Sequence, residues 1–436
     1  MSDKPFLWRY IMDNLSRRQL IKYAGLAGVS MYGSNLVAGD FYKGVTIRVL
    51  TQAGTDYEPY FRKMGKTFQI LTGAKVEFEF APWEGLMPKV QADLASGVPQ
   101  FDLFCNDIEF QYTIWPHLEP INDFIESGSY EMEGFLDPVY KYGEGIAGNK
   151  GVRYGLPIVT GVSVLFYRKD LMNKFPTTWE DYENLLKKHT DGNMHGVSMA
   201  GVPAQLVKAF LARYWRLGKP LMTRNWKPLI NGKEGLEAIT TLKRHITKYA
   251  PPGTLAWDNP DAANAFLAGD VAVHEGWAGF ILPSLDDPNK SKVVNKWGIA
   301  PYPQGGTGNF VQHNFAMMKT SKNKKAAFDL MAFMTNPKNM KLATLEFGIT
   351  PSRETLYNDS DVLRKKPYMD DYVKVLKRGK PFTPGVPQWL EMFIGVAETC
   401  SQVVSNEAEP KEALDELADK WSELLEQNPL NFEYEG

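Results

Sequence analysis

The stretch VTIRVLTQAGTDYEPYFRKMGKTFQILTGAKVEFEFAPWEGLMPKVQADLASGVPQFDLFC, residues 45–105, decides the fold. Residues 45–50 alternate Val45, Ile47 and Val49 with Thr46 and Arg48, the pattern of a half-covered strand. Residues 57–71 place Phe61, Met64, Phe68 and Leu71 on one helical face, and Gly73 ends the run. Residues 75–80 alternate again through Val76, Phe78 and Phe80. Residues 84–96 repeat Leu86, Val90 and Leu94 at a spacing of four until Gly97 stops them, and 101–105 supply a third strand. The order β-α-β-α-β predicts an α/β fold with a mostly parallel sheet covered by helices. If the first strand lies between the other two, the strand order reverses between strands one and three. Ligands of open sheets bind at such a reversal.

Downstream, 155–159 and 162–167 are extended. Thr178-Trp-Glu-Asp181 has the form of a capping box that opens a helix. Helices are expected over 235–249, 261–269, 322–347 and 410–426, and strands over 271–274 and 315–318. Upstream, residues 1–22 carry Lys4, Arg9, Arg17, Arg18 and Lys22 against Asp3 and Asp13, and 23–39 carry no charge. A charged start, a weakly apolar run and small residues make an export signal rather than a membrane span. Ser16-Arg-Arg-Gln-Leu-Ile-Lys22 fits the twin-arginine pattern, so 1–39 are expected to address the chain to the Tat machinery.

The 436 residues suggest two or three domains. Lys and Arg number 49 and Asp and Glu 51, a net charge of −2. A general nucleic-acid binder needs a basic surplus, and none is present. A hydrophobic fraction of 44% excludes a largely disordered chain. Two cysteines, Cys105 and Cys400, exclude a disulfide scaffold and a four-cysteine zinc site, and two separate buried thiols are expected.

Catalytic motifs are weak. Gly65-Lys-Thr67 lacks the upstream glycine of a phosphate loop, since position 60 is Tyr. The six histidines never make the spacing of a zinc protease helix, and no Gly-x-Ser-x-Gly elbow occurs. No enzyme activity, metal or cofactor is expected. Polar signals lie instead in the segments after strands one and three, 51–56 and 106–109, through Asp56, Asn106, Asp107 and Glu109. Carboxylates there accept hydrogen bonds from hydroxyl groups. The plainer role of Asp56 is to cap the following helix. Trp83 precedes a helix, and Trp277 sits in Glu275-Gly-Trp-Ala-Gly279, where Gly276 and Gly279 let a ligand approach the backbone. Either indole offers a flat wall to the C–H face of a sugar ring, with core packing as the alternative for each.

Several of these segments resemble the extracellular solute-binding proteins of ABC importers, specifically the maltose/glycerol-3-phosphate-type sugar-binding group. The likeness covers nearly all of 44–425. It rests on residues 81–97, 101–107, Tyr154-Gly-Leu-Pro157, 167–171, Pro176-Thr-Thr-Trp-Glu180, and 266–270 through Glu275-Gly-Trp277. It continues in Trp297-Gly-Ile-Ala-Pro-Tyr-Pro303 and Gly348-Ile-Thr-Pro-Ser-Arg353. The resemblance implies two α/β lobes, 40–156 plus 305–347 and 161–300 plus 353–436, with hinges near 157–161, 300–305 and 348–352. It implies that a carbohydrate or polyol is captured in an interlobe cleft in the periplasm or at the cell exterior and passed to membrane permease subunits. Trp277 falls where the family stacks its ligand. Some oligosaccharide binders carry an acidic residue in the hinge, whereas this chain has Ile158-Val-Thr-Gly-Val162. Arg353 is expected to reach the cleft from the third crossover. The acidic segments, without Lys or Arg, favour a neutral sugar over a phosphorylated one. The alternatives are a secreted carbohydrate-active enzyme and a receptor-coupled sugar sensor.

Overall fold

The computed structural model describes residues 41–434 except 54–56, 129, 138, 140–143 and 145–148. The expected export signal and Asp56 lie outside the described residues. The elements that position the candidate site run in chain order as β1 (Thr46–Gln52), α1 (Glu58–Thr72), β2 (Lys75–Ala81), α2 (Trp83–Ala95), β3 (Leu103–Asp107) and α3 (Ile108–Ile114). They continue as β4 (Gly155–Arg168), α4 (Trp179–Lys188), β5 (His195–Met199), α5 (Pro203–Trp215), α6 (Lys233–Tyr249) and α7 (Asn259–Leu267). The last are β6 (Val271–Trp277), β7 (Trp297–Ala300), β8 (Asn309–Met317), α8 (Lys324–Thr335), α9 (Pro337–Leu342), α10 (Met369–Leu376), α11 (Trp389–Val404) and α12 (Pro410–Gln427).

The described residues form two units, the first running up to 160 and again over 312–365, the second over 161–311 and from 366 onward. The first division falls inside the expected hinge at 157–161. The other two fall later than 300–305 and 348–352. The second falls within β8, because Asn309 and Phe310 pair with Lys380 and Pro381 of the second unit while residues 313–317 pair with β3 of the first. The third is delayed because Arg353 is tied into the first unit, so 353–365 belong there and not to the second lobe.

In the first unit β1 pairs in parallel with β2 and β3, and β3 pairs antiparallel with β8. The first strand therefore lies between the second and third, which meets the condition for a reversal between strands one and three. α1 buries Tyr60, Phe61, Met64 and Phe68 and closes on Gly73, whose φ of 79° is open to glycine and costly for a residue with a Cβ. A Cβ on Gly65 would come within 2.6 Å of the Phe78 ring, so this glycine brings α1 close to the sheet.

In the second unit β5 pairs in parallel with β6, and β4 pairs antiparallel with β6 and β7. The predicted cap opens α4, with the Asp181 amide donating to Thr178 Oγ1 at 3.1 Å. Asp258 and Asp261 form a full capping box on α7. The single helix expected over 322–347 is broken at Asn336. Pro337 has no N–H to continue the ladder, and Asn336 Oδ1 caps α9 by accepting from the Asn339 amide at 2.9 Å.

Cys105 in β3 and Cys400 in α11 are both free and buried, and burial pushes both thiols well above their ordinary pKa. Among the described residues no helix is long and apolar enough to cross a membrane.

Candidate functional site

The second unit holds a pocket where the end of β6 meets β4 and α5. Antiparallel pairing sets Ser163 opposite Trp277, and α5 turns Gln205 and Lys208 toward the same place. Glu275 and Tyr302 complete the polar lining. Trp277 is 9% exposed, and its indole Nε1 donates to Gln205 Oε1 at 3.3 Å. The Lys208 ammonium lies 4.9 Å from the Trp277 ring centre and 5.2 Å from that of Phe382. Gly276 is required by packing, since a Cβ there would come within 2.4 Å of the His274 ring. His274 is buried neutral beside Ser198, and desolvation takes its pKa down to about 3.

Beneath the pocket sits a buried polar network. Arg213 donates from Nη1 to Glu275 Oε1 and from Nη2 to Glu275 Oε2, both at 2.9 Å, the two-pronged geometry that guanidinium suits best. Tyr302 donates to Glu275 Oε1 at 3.1 Å. Arg213 Nη2 also lies 3.0 Å from His245 Nδ1. A guanidinium only donates, so this imidazole nitrogen carries the lone pair. Burial, followed by the nearby arginines, holds the His245 pKa far below its ordinary value. Burial alone would lower the Arg213 pKa, but the facing carboxylate outweighs it and raises it.

The first unit gathers a second cluster. Asp107 and His313 face each other across the β3–β8 pair, with Nε2 of His313 2.5 Å from Asp107 Oδ1. The Trp83 indole donates to Asp107 Oδ2 at 3.0 Å and packs on Phe110 with ring centres 5.0 Å apart. Asn106, Asp107 and Glu109 are all buried. The expected solvated loop at 106–109 is therefore corrected: these residues are the end of β3 and the first turn of α3, and their polar groups turn inward.

Arg353 is also corrected. It is 1% exposed and donates to the carbonyls of Thr335, Glu133 and Glu131 and to the Tyr130 hydroxyl, with its guanidinium 4.1 Å from the Phe135 ring centre. It holds the first unit's backbone together.

The structure thus brings Trp83, Asn106, Asp107 and Glu109 together in one unit and Gly276 and Trp277 together in the other. Sequence reading missed Lys208, Gln205, Glu275 and Tyr302. Lys208 sits in α5, whose sequence signals include Pro203 at its start and the spacing of Leu206, Phe210 and Tyr214.

Because Asp107 is enclosed, Asp107→Asn is expected to cost about 1–3 kcal/mol of stability, the usual loss when a buried acceptor is altered beside its donors. Urea denaturation measures this. An unchanged midpoint would return Asp107 to a solvated role.

The family described as bacterial extracellular solute-binding protein matches residues 54–341. This chain is a bacterial extracellular solute-binding protein. Solute-binding relatives include a probable amino-acid ABC transporter periplasmic-binding protein of Sinorhizobium fredii, 23% identical over 91% of this chain and 95% of that one. The erythritol/L-threitol-binding protein of Mycolicibacterium smegmatis is 24% identical over 79% and 82%. Among solved structures, an ABC transporter solute-binding protein of Agrobacterium radiobacter in complex with ribitol superposes with a TM-score of 0.79. It is 23% identical, and the match covers 88% of this chain and 99% of that one. Maltose-bound MalE3 of T. maritima also gives 0.79, at 22% identity over 87% and 100%. These likenesses establish the solute-binding fold, α/β and two-lobed, that the sequence predicts.

Proposed function

We propose that this protein captures a carbohydrate-like solute outside the cytoplasm and delivers it to the permease subunits of an ABC importer. The observation that carries the reading is the Trp277 pocket: an indole held by Gln205 and ringed by Ser163, Lys208, Glu275 and Tyr302. A flat apolar face bordered by a few fixed polar groups suits a ring or chain that is apolar on its C–H side and polar at its edges. The ribitol, maltose and erythritol named for the relatives have this character.

In this reading Trp277, Gly276 and Trp83 face the solute. Asp107 acts by holding the Trp83 indole. The two units serve as the lobes of the binding protein. The role is capture and release without turnover. The Arg17-Arg18 segment sends the chain through the Tat machinery to the periplasm or the cell exterior.

A thermal-shift screen tests the reading, because a solute that binds the folded state raises the melting temperature by mass action. Sugars, sugar acids, sugar phosphates and polyols are expected to include at least one that gives a saturable rise. At one hundred times its Kd the gain is about 2.7 kcal/mol. A rise with L-amino acids alone would replace the carbohydrate reading with an amino-acid one.

A further inference from the structure

We propose that the solute carries an anionic group, a carboxylate or a phosphate, and that the Lys208 ammonium reads it beside Trp277. The proposal rests on the carbohydrate reading of the Trp277 pocket and adds a charge to the ligand.

The pocket has two charged lining side chains, Glu275 and Lys208. They are not equivalent. Both carboxylate oxygens of Glu275 are taken by Arg213, and Tyr302 adds a third donor. The Glu275 charge is therefore cancelled inside the protein. Lys208 has no such partner: among the described residues no carboxylate pairs with its ammonium. Among the described residues its ammonium meets the faces of Trp277 and Phe382. The side chain is half-buried, and its backbone is pinned where Asn309 Nδ2 donates to the Lys208 carbonyl at 2.7 Å. The pocket thus presents one uncancelled positive charge, fixed against the wall on which a sugar would stack.

A cation with aromatic walls is poorly solvated, and ring faces compensate it only in part. A neutral polyol offers that ammonium hydroxyl oxygens. A carboxylate or phosphate offers charge-assisted bonds, which are shorter and about twice as strong. The carboxylates after strand three do not lie open to repel an anion: Asp107 is 3% and Glu109 2% exposed, and Asp107 is occupied by His313 and Trp83. Lys208 points to the opposite preference.

Titration calorimetry on the full chain decides between them. The probes are ribitol, ribonate and ribitol 5-phosphate, with glucose, gluconate and glucose 6-phosphate. Within a set the anionic member is expected to bind at least about tenfold tighter than the neutral one. Comparison of its carboxylate and phosphate arms tells which anion the pocket takes. Lys208→Met keeps the alkyl stem over the rings and is expected to abolish the preference, whereas Lys208→Arg is expected to retain it. Neutral members that bind as tightly as the acids, or a preference unchanged in Lys208→Met, would overturn the proposal and leave the carbohydrate reading intact. Binding of L-amino acids with none of the six probes would overturn both.

Discussion

Arg213→Met is expected to lower stability by about 3–5 kcal/mol, the largest effect of any single change considered. The substitution leaves Glu275 buried with its carboxylate opposite a thioether, and an unpaired buried charge costs that much. Arg213 is fully buried, so no water replaces the lost guanidinium. Urea unfolding followed by tryptophan fluorescence reads the loss. The double variant Arg213→Met with Glu275→Leu should regain much of it, because replacing both partners by apolar groups removes the orphaned charge. A single variant as stable as the parent would show that the network contributes nothing to the fold.

Trp277→Ala is expected to reduce solute affinity by about 2 kcal/mol or more, roughly thirtyfold, as loss of a central aromatic anchor does. It also removes a ring that is nine-tenths covered, so a stability loss of about 3 kcal/mol accompanies it. The two effects separate in Trp277→Phe, which fills most of the space and loses the bond to Gln205. Calorimetry below the melting temperature of each variant gives the affinities. Parent-like affinity in a folded Trp277→Ala protein would confine this indole to packing.

The first unit was legible because its signals are local. Val45, Ile47 and Val49, then Phe61, Met64 and Phe68, repeat with the periods of a strand and a helix, and Gly73 and Gly97 end the helical runs. The succession of elements left the strand order open, and the pairing of β1 with both β2 and β3 supplied it. The candidate site was legible by half. Trp277 announced itself through its flanking glycines, but Asp107 and Arg353 misled. A charged residue is expected at the surface until its partner is known, and those partners lie far off in the chain: His313 is brought to Asp107 by strand pairing, and Thr335 and Glu133 come to Arg353 from separate segments. Sequence spacing carries no trace of such encounters. Glu275 was in view throughout, yet nothing near it in the chain reveals that Arg213 cancels its charge. Lys208 was missed with its helix, which buries nine of its thirteen residues and so shows no clean division into an apolar and a polar face.

The buried state of Cys105 and Cys400 makes the protein a ready host for labels. Neither thiol reaches solvent, and burial keeps both protonated far above neutral pH, so maleimide and iodoacetamide dyes find little thiolate to attack. One cysteine placed on an exposed helix face therefore becomes the only reactive position without any prior mutation of the natural pair. A dye there, on either unit, can be attached to the native chain and turned into an optical reporter of solute uptake.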